Sequence, residues 1–250
     1  MDDLAILEAH DGVARLTLHR PEARNALSLE LIKAVRARVR ELAGQDTVRV
    51  CVVTGAGRAF CAGMDLKAIL DDPDAPAALL RSIAELTIEL RALPMVTVAR
   101  VNGAAIGGGC GLMCVCDLAL THADAKLGYP EVDIGVCPAV VAPWLVERIG
   151  PGAARRMLLT GGLLTGAEAF ERGLVTGVVA TLEDLDGAVD ELVGRLAGAG
   201  PRALRATKAW LNETGADAQA DLVRRGALIS AEVIADPAAR LALKRAFGHR

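Results

Sequence analysis

Aromatic residues are scarce in this chain. Three Phe, two Trp and one Tyr make up 2% of 250 residues, which removes the stacking platforms on which single-stranded nucleic acids are bound. Basic charge is not in excess either. Lys and Arg total 28 against 31 Asp and Glu, for a net charge of −3, so nothing is left over to neutralise a phosphate backbone and no nucleic-acid partner is expected. Long apolar runs are missing too. The uncharged stretch from Val101 to Cys116 is broken by Gly103, Gly107, Gly108, Gly109 and Gly111 and falls short of the roughly 18 apolar residues that suggest a membrane span. The chain opens Met1-Asp2-Asp3, acidic where a secretory leader is basic; a cytoplasmic protein without membrane association is the expectation. Only Ser28, Ser82 and Ser230 are present, none inside a G-x-S-x-G turn. His10, His19, His122 and His249 are scattered, so the cluster Cys110, Cys114 and Cys116 has no second group at ligand spacing. No metal site is expected, and the six cysteines read as reduced, small core hydrophobes.

What the chain does have is 52% hydrophobic and 24% charged residues, an ordinary globular composition whose core must be built from Ala, Val, Leu and Ile. Short apolar runs at Val13–Leu18, Val48–Thr54, Met95–Val101, Cys116–Leu120 and Leu174–Ala180 read as strands, each bounded by Gly, Pro or charge. Leu29–Ala43 reads as a helix, with Leu31, Ile32, Val35, Val39 and Leu42 on one face, Ser28 as N-cap and Gly44 after the last turn. Strands alternating with helices imply an α/β fold with largely parallel pairing. Past Asp184 the strand-like runs stop. Helical segments at Leu185–Leu196, Arg202–Glu213, Ala216–Ile234 and Ala238–Phe247 follow, which divides the chain into a core, 1–184, and a helical C-terminal region, 185–250. The stretch Asp71–Pro76 reads as a surface loop.

Gly55-Ala56-Gly57 after the second predicted strand invites a dinucleotide-binding reading. Phe60 stands where the third glycine belongs, and no acidic residue follows on the next strand, so the fingerprint fails. Two other glycine turns, Phe60–Lys67 and Val101–Leu112, each follow a predicted strand and lead toward a predicted helix. At such junctions free N–H groups point out of the helix start and favour negative charge. Two of them converging on one point would form an oxyanion hole. For either turn alone, tight helix–strand packing is the better explanation.

The turns do not stand alone. His19-Arg20-Pro21-Glu22-Ala23-Arg24-Asn25-Ala26-Leu27, Phe60–Leu66, Asn102–Gly109, Cys116-Asp117-Leu118-Ala119, Pro130–Gly135, Leu164–Ala169 and Gly173-Leu174-Val175 together resemble the crotonase superfamily, the enoyl-CoA hydratase/isomerase family, over nearly the whole chain. The resemblance implies a spiral of ββα turns with a C-terminal helical trimerisation region, and a homotrimer or dimer of trimers. It implies an acyl-CoA substrate, with coenzyme A part of the substrate and no separate cofactor. It places an oxyanion hole on the N–H groups of Met64 and Gly108. Arg24, Ala26, Ala62, Met64, Asp65, Leu66 and Lys67 fall on the coenzyme A side, with Asn25 in the same turn as Ala26 and, more weakly, Lys244-Arg245. Glu131 matches one of the family's two catalytic glutamates; read by itself, it is a surface glutamate after Pro130.

The sequence also departs from that pattern. Gly111 stands where the best-known hydratases of the family carry a second glutamate. Glu131 alone could hydrate through one water, or could move a proton from C2 to C4 as a Δ3,Δ2-enoyl-CoA isomerase. A silent acyl-CoA-binding protein is a further alternative. Ala139 matches the position of a dienoyl-isomerase aspartate, which argues against that activity. Glu85 and Glu89 are candidates for a replacement acid, and Asp117 reads as structural. A Gly-Gly-Gly-x-Gly-Leu turn and the Gly135–Ala139 segment, similar to hydratases acting on branched or carboxylated chains, favour hydration. Leu70, Leu79, Ile83, Trp144 and Leu145 are candidates for setting the acyl pocket. The stripe Leu222, Leu228, Ile229 and Val233 suggests subunit contact, although intrachain core is the more ordinary reading of such spacing.

Overall fold

The computed structural model describes residues 4–66, 75–214 and 216–247, with the side chains of 216–218 and 247 excepted. In chain order the elements are β1 (Ala5–His10), β2 (Val13–Leu18), α1 (Leu29–Ala43), β3 (Val50–Gly55), β4 (Ala59–Cys61), α2 (Ala75–Arg91), β5 (Val96–Val101), β6 (Ala104–Ile106), α3 (Gly108–Cys114), β7 (Leu118–His122), β8 (Lys126–Gly128), α4 (Ala142–Thr160), β9 (Leu163–Thr165), α5 (Gly166–Glu171) and β10 (Gly177–Val179). Four helices close the chain: α6 (Leu185–Gly198), α7 (Pro201–Glu213), α8 (Ala216–Ala235) and α9 (Pro237–Phe247).

The strands form two sheets. The larger runs β1-β2-β3-β5-β7-β10 and the smaller β4-β6-β8-β9. Only β1–β2 and β8–β9 pair antiparallel; the rest are parallel. The chain thus spirals. Each turn lays one strand in the large sheet (β3, β5, β7), one in the small sheet (β4, β6, β8), then a helix (α2, α3, α4). The crotonase-like α/β class expected from the sequence is the architecture observed.

Apolar burial explains the layers. Val50, Val52, Val96, Val98 and Leu120 on one face of the large sheet are covered by Leu185, Val189 and Val193 of α6. The alternate residues Cys51, Val53, Ala99 and Val101 enter the main core beneath the other helices. Strands buried on both faces have to be continuously apolar, which is how Val50–Val53 reads. Helix α1 buries Leu31, Ile32, Val35, Val39 and Leu42, and the Ser28 hydroxyl accepts the Leu31 N–H. Helix α4 is kinked at Gly150, directly before Pro151. No helix among the described residues is long and apolar enough to cross a membrane.

Polar clamps fix the connections. Asp117 is structural, as expected: its Oδ2 accepts the Thr97 N–H at 2.7 Å and pairs with Lys208 Nζ at 2.8 Å, and that buried lysine also donates to the Met95 carbonyl. This pins α7 to the end of β5. The Gly55–Gly57 loop has its polar groups consumed by two buried asparagines. Asn25 Nδ2 donates to the carbonyls of Ala56, Ala59 and Phe60, while Asn102 accepts the Gly55 N–H and donates to the Gly57 carbonyl. The glycines here serve close packing between strands, and β4 follows where a dinucleotide fold would start a helix.

Asn25 carries one further load. Its Oδ1 accepts the Arg20 N–H, and its backbone is left-handed, with φ 55. Replacing it with Ala removes the donor from two buried carbonyls and one half-buried carbonyl and keeps the strained φ. Asn25→Ala is expected to lower unfolding stability by about 2–4 kcal/mol, read as a shifted urea midpoint at unchanged slope.

Candidate active site

In the small sheet β4, β6 and β8 lie side by side and parallel. The loops leaving their C-terminal ends, 62–66, 107–108 and 129–131, therefore emerge at one edge. This is where α/β sheets gather ligand-binding loops. They border a cavity of about 790 Å³, completed by the 20–26 turn, by Leu80 and Ile83 of α2, and by the wall from Ile134 to Val141. That volume suits a small-molecule site.

The 24–27 turn is zipped to the first loop. Ala62 N–H donates to the Arg24 carbonyl, Leu27 N–H to Gly63, and Asp65 N–H to Leu27. This short parallel bridge pairs Leu27 with Met64 and uses the Gly63 carbonyl and the Asp65 N–H on either side of Met64, not the Met64 N–H. Gly108 opens α3, so its N–H precedes the intrahelical bonds, the first of which runs from Gly111 N–H to the Gly107 carbonyl. The two loops touch: a methyl group built on Gly108 would lie 3.8 Å from the Met64 nitrogen, and one on Gly63 would lie 3.7 Å from the Gly108 nitrogen. Two amides with no ladder partner thus stand side by side on the cavity wall.

Glu131 sits on a 3-10 turn, Pro130–Ile134, directly after the buried Tyr129. Proline at the first position suits this start. The residue is half-buried, but its Oε2 is sealed from solvent and has no hydrogen-bond partner. Its other oxygen lies where a Cβ on Gly107 would be, 2.4 Å away, and Gly107 has φ +54. Only glycine satisfies both the backbone and the carboxyl at that point. Burial pushes the Glu131 carboxyl up to about 7, with the charge of Asp133 adding to the rise and a backbone hydrogen bond opposing it. An acid of this kind can both give and take a proton at neutral pH.

Of the residues singled out in the sequence, Arg24, Ala26, Ala62, Met64, Asp65, Leu66, Gly108 and Glu131 all line this one cavity. Arg24 is exposed at its rim. Asp65 is tied to Arg20 Nη1 at 2.6 Å. Lys67 and Leu70 lie outside the described residues, as does most of the Asp71–Pro76 stretch. Asn25 is a buried clamp beside the cavity, not part of its lining. Lys244 and Arg245 are exposed on the last turn of α9 and do not border the cavity.

The replacement-acid reading of Glu85 and Glu89 is overturned. Glu89 is held by Arg36 and Arg40, which keep its carboxyl below the usual range, and Glu85 pairs with Arg224. Both α2 glutamates face neighbouring helices. Of the pocket candidates, Ile83 borders the cavity, whereas Leu79, Trp144 and Leu145 are buried core. Sequence reasoning missed Arg20, Ile106, Cys137, Val140 and Val141; the last three belong to an irregular segment with no periodic signal. Burial pushes the thiols of Cys51, Cys61 and Cys116 up to about 12, consistent with inert core residues. Among the described residues no group of three His, Cys, Asp or Glu side chains is placed to hold a metal ion.

Comparison with known proteins identifies the family. The family model for enoyl-CoA hydratase/isomerase matches residues 8–234. The crotonyl-CoA hydratase of Syntrophomonas wolfei is 33% identical over 83% of this chain and 81% of its own. The 2,3-dehydroadipyl-CoA hydratase of Escherichia coli is 33% identical over 84% of this chain and 82% of its own. A crystal structure of an enoyl-CoA hydratase/isomerase from Xanthobacter autotrophicus superposes with a TM-score of 0.87 at 29% identity, covering 98% of this chain and 94% of that one. Relatives named hydratase support enoyl-CoA hydratase-type activity in general. With a matching model over most of its length and the same fold, this chain is an enzyme belonging to the enoyl-CoA hydratase/isomerase family of the crotonase superfamily.

Proposed function

We propose that the protein hydrates a 2-enoyl-CoA thioester through an enolate, with Glu131 as its acid/base. The observation that carries this reading is Glu131, with its Oε2 buried and unpartnered, lining the same cavity as Met64 and Gly108. Glu131 takes a proton from water as its oxygen bonds to C3. The π electrons move onto the thioester oxygen, where the two N–H groups hold the charge. Glu131 then returns the proton to C2. Coenzyme A lies along Arg24, Ala26, Ala62 and Met64 to Leu66, with Lys67 continuing that side. No further cofactor or metal takes part.

A second reading, Δ3,Δ2-enoyl-CoA isomerisation, is favoured by one observation. Among the described residues bordering the cavity the carboxyls are Glu22, Asp65 and Glu131, and the first two lie by Arg20 at the mouth. One inner carboxyl suffices to carry a proton between C2 and C4. The assembly expected is a homotrimer or dimer of trimers; the exposed Leu222, Leu228 and Ile229 on α8 support it, since an intrachain core would have buried them.

Crotonyl-CoA and a 3-enoyl-CoA assayed side by side separate the readings. Hydration removes the conjugated thioester absorbance, isomerisation creates it, and a silent binder does neither. Glu131→Gln is expected to lower kcat by about 10²–10⁴-fold with little change in KM. Full activity in that variant would overturn the assignment.

Stability provides a check independent of turnover. Glu131 titrates near 4.5 unfolded and near 7 folded, so between those values the folded state binds more protons and stability falls as pH rises. Glu131→Gln lacks this loss. Its stability relative to the native protein is expected to rise between pH 4.5 and pH 8 by on the order of 2–3 kcal/mol, measured by urea unfolding at both pH values.

A further inference from the structure

Helix α3 begins at the amide-bearing edge of the cavity, and one turn in, at Gly111, it meets the opposite wall. A Cβ built on Gly111 would lie 2.3 Å from Val141 Cγ1 and 2.7 Å from Val141 Cβ. Those distances are far inside van der Waals contact, so position 111 and the Val141 side chain occupy the same space. Val141 is 1% exposed to solvent and borders the cavity together with Gly107, Gly108 and Glu131. Its neighbours on that wall, Ile134, Val136, Pro138 and Val140, are also hydrocarbon, with the Cys137 thiol as the one side-chain heteroatom among them.

We propose that Val141 is a specificity-determining residue: its isopropyl group fills the path by which an α3 side chain at position 111 would reach the cavity. It thereby leaves Glu131, among the described residues, as the inner carboxyl facing a largely apolar wall. The inference deepens the reading of Glu131 as the acid/base and rests on it.

The chemical consequence follows from what water requires. A water molecule attacking C3 has to be oriented and deprotonated together. Here Glu131 is the inner carboxyl among the described residues, the Cys137 thiol is a weak partner for water, and hydrocarbon can neither donate to that water nor accept from it. Proton transfer between C2 and C4 needs no water, so it is untouched by the apolar wall. Val141 therefore slows hydration relative to isomerisation. The steric half is equally specific: Gly111 and Val141 form a coupled pair, and a carboxylate enters at 111 only when Val141 is cut back. Filling an occupied volume forces the neighbours apart, whereas a smaller residue at 141 frees the path.

The experiment compares Gly111→Glu, Val141→Ala and the double variant by thermal melting, crotonyl-CoA hydration and 3-enoyl-CoA isomerisation. Gly111→Glu alone is expected to lose roughly 5 °C or more in Tm. The double variant recovers most of that loss and hydrates crotonyl-CoA about tenfold or more faster than Val141→Ala, with no matching gain in isomerisation. A native Tm for Gly111→Glu would show that Val141 does not fill the path and would overturn the proposal. So would a well-folded double variant that hydrates no faster than Val141→Ala. Should the double variant not fold, Val141→Ser decides: its hydroxyl gives water a partner, so a higher hydration-to-isomerisation ratio supports the proposal and an unchanged ratio overturns it. Failure of the parent reading looks different. It is a native protein inactive on both thioesters, and the melting comparison still decides the steric pair.

Discussion

The constraint on which the site depends is a carboxyl group pressed against a backbone that has no side chain. Glu131 is held within 2.4 Å of the point where a Cβ on Gly107 would be, with one oxygen sealed and unpartnered. Charge in that position is disfavoured, and the pKa near 7 expresses it. The surrounding structure enforces the arrangement. The buried Tyr129 and the proline at the turn's first position fix the approach of the chain, and Val136 N–H returns to the Glu131 carbonyl. The Gly107 N–H is anchored to the Gly128 carbonyl at 2.8 Å, which ties the glycine turn to the strand that delivers Glu131.

That anchoring is a property of the spiral. Because β4, β6 and β8 are adjacent and parallel, the loops that follow them must leave the same edge. The chain then needs only local hydrogen bonds to set their spacing. Asn25 and Asn102 immobilise the Gly55–Phe60 loop from two sides, and the Leu27–Met64 bridge carries the 24–27 turn onto the first cavity loop. The polar groups of these loops are largely consumed in bonding each other. Among the groups left over are the Met64 amide, which the bridge bypasses, and the Gly108 amide, which precedes the intrahelical bonds of α3.

The sequence foretold different parts of this unequally. Helix α1 was legible to the residue because an apolar face, an N-cap and a closing glycine all agree over fifteen positions. The central strands were legible because burial on both faces makes Val50–Val53 continuously apolar, although their ends were placed a residue or two early. The three-residue strands of the small sheet were not legible. No periodicity fits in three residues, and β6 hides inside the glycine-rich turn. Glu131 was found through its similarity to a family motif, since its isolated pattern is that of a surface glutamate. What crowds its carboxyl is the approach of Gly107, far away in sequence, and that contact has no local signature. Asn25 was read with the cavity because of its neighbours; its burial among three carbonyls depends on the loop it clamps.

A lone inner carboxyl, as found among the described residues, also has an electrostatic logic. On the proposed reading, negative charge starts on Glu131, where it has no partner, and moves to the thioester oxygen, where two N–H groups face it. The charge is relocated and not created, so the site never has to hold two anions at once. A second carboxylate close by would raise the cost of that charge in both states, and its benefit would lie in handling water alone. The difference between a poor place for charge and a good one is what lowers the barrier, because only interactions stronger in the transition state accelerate the step. Glu131's isolation and the apolar wall beyond it thus act in one direction. On that reading they destabilise the ionised base in the resting enzyme and favour moving its charge to the thioester oxygen.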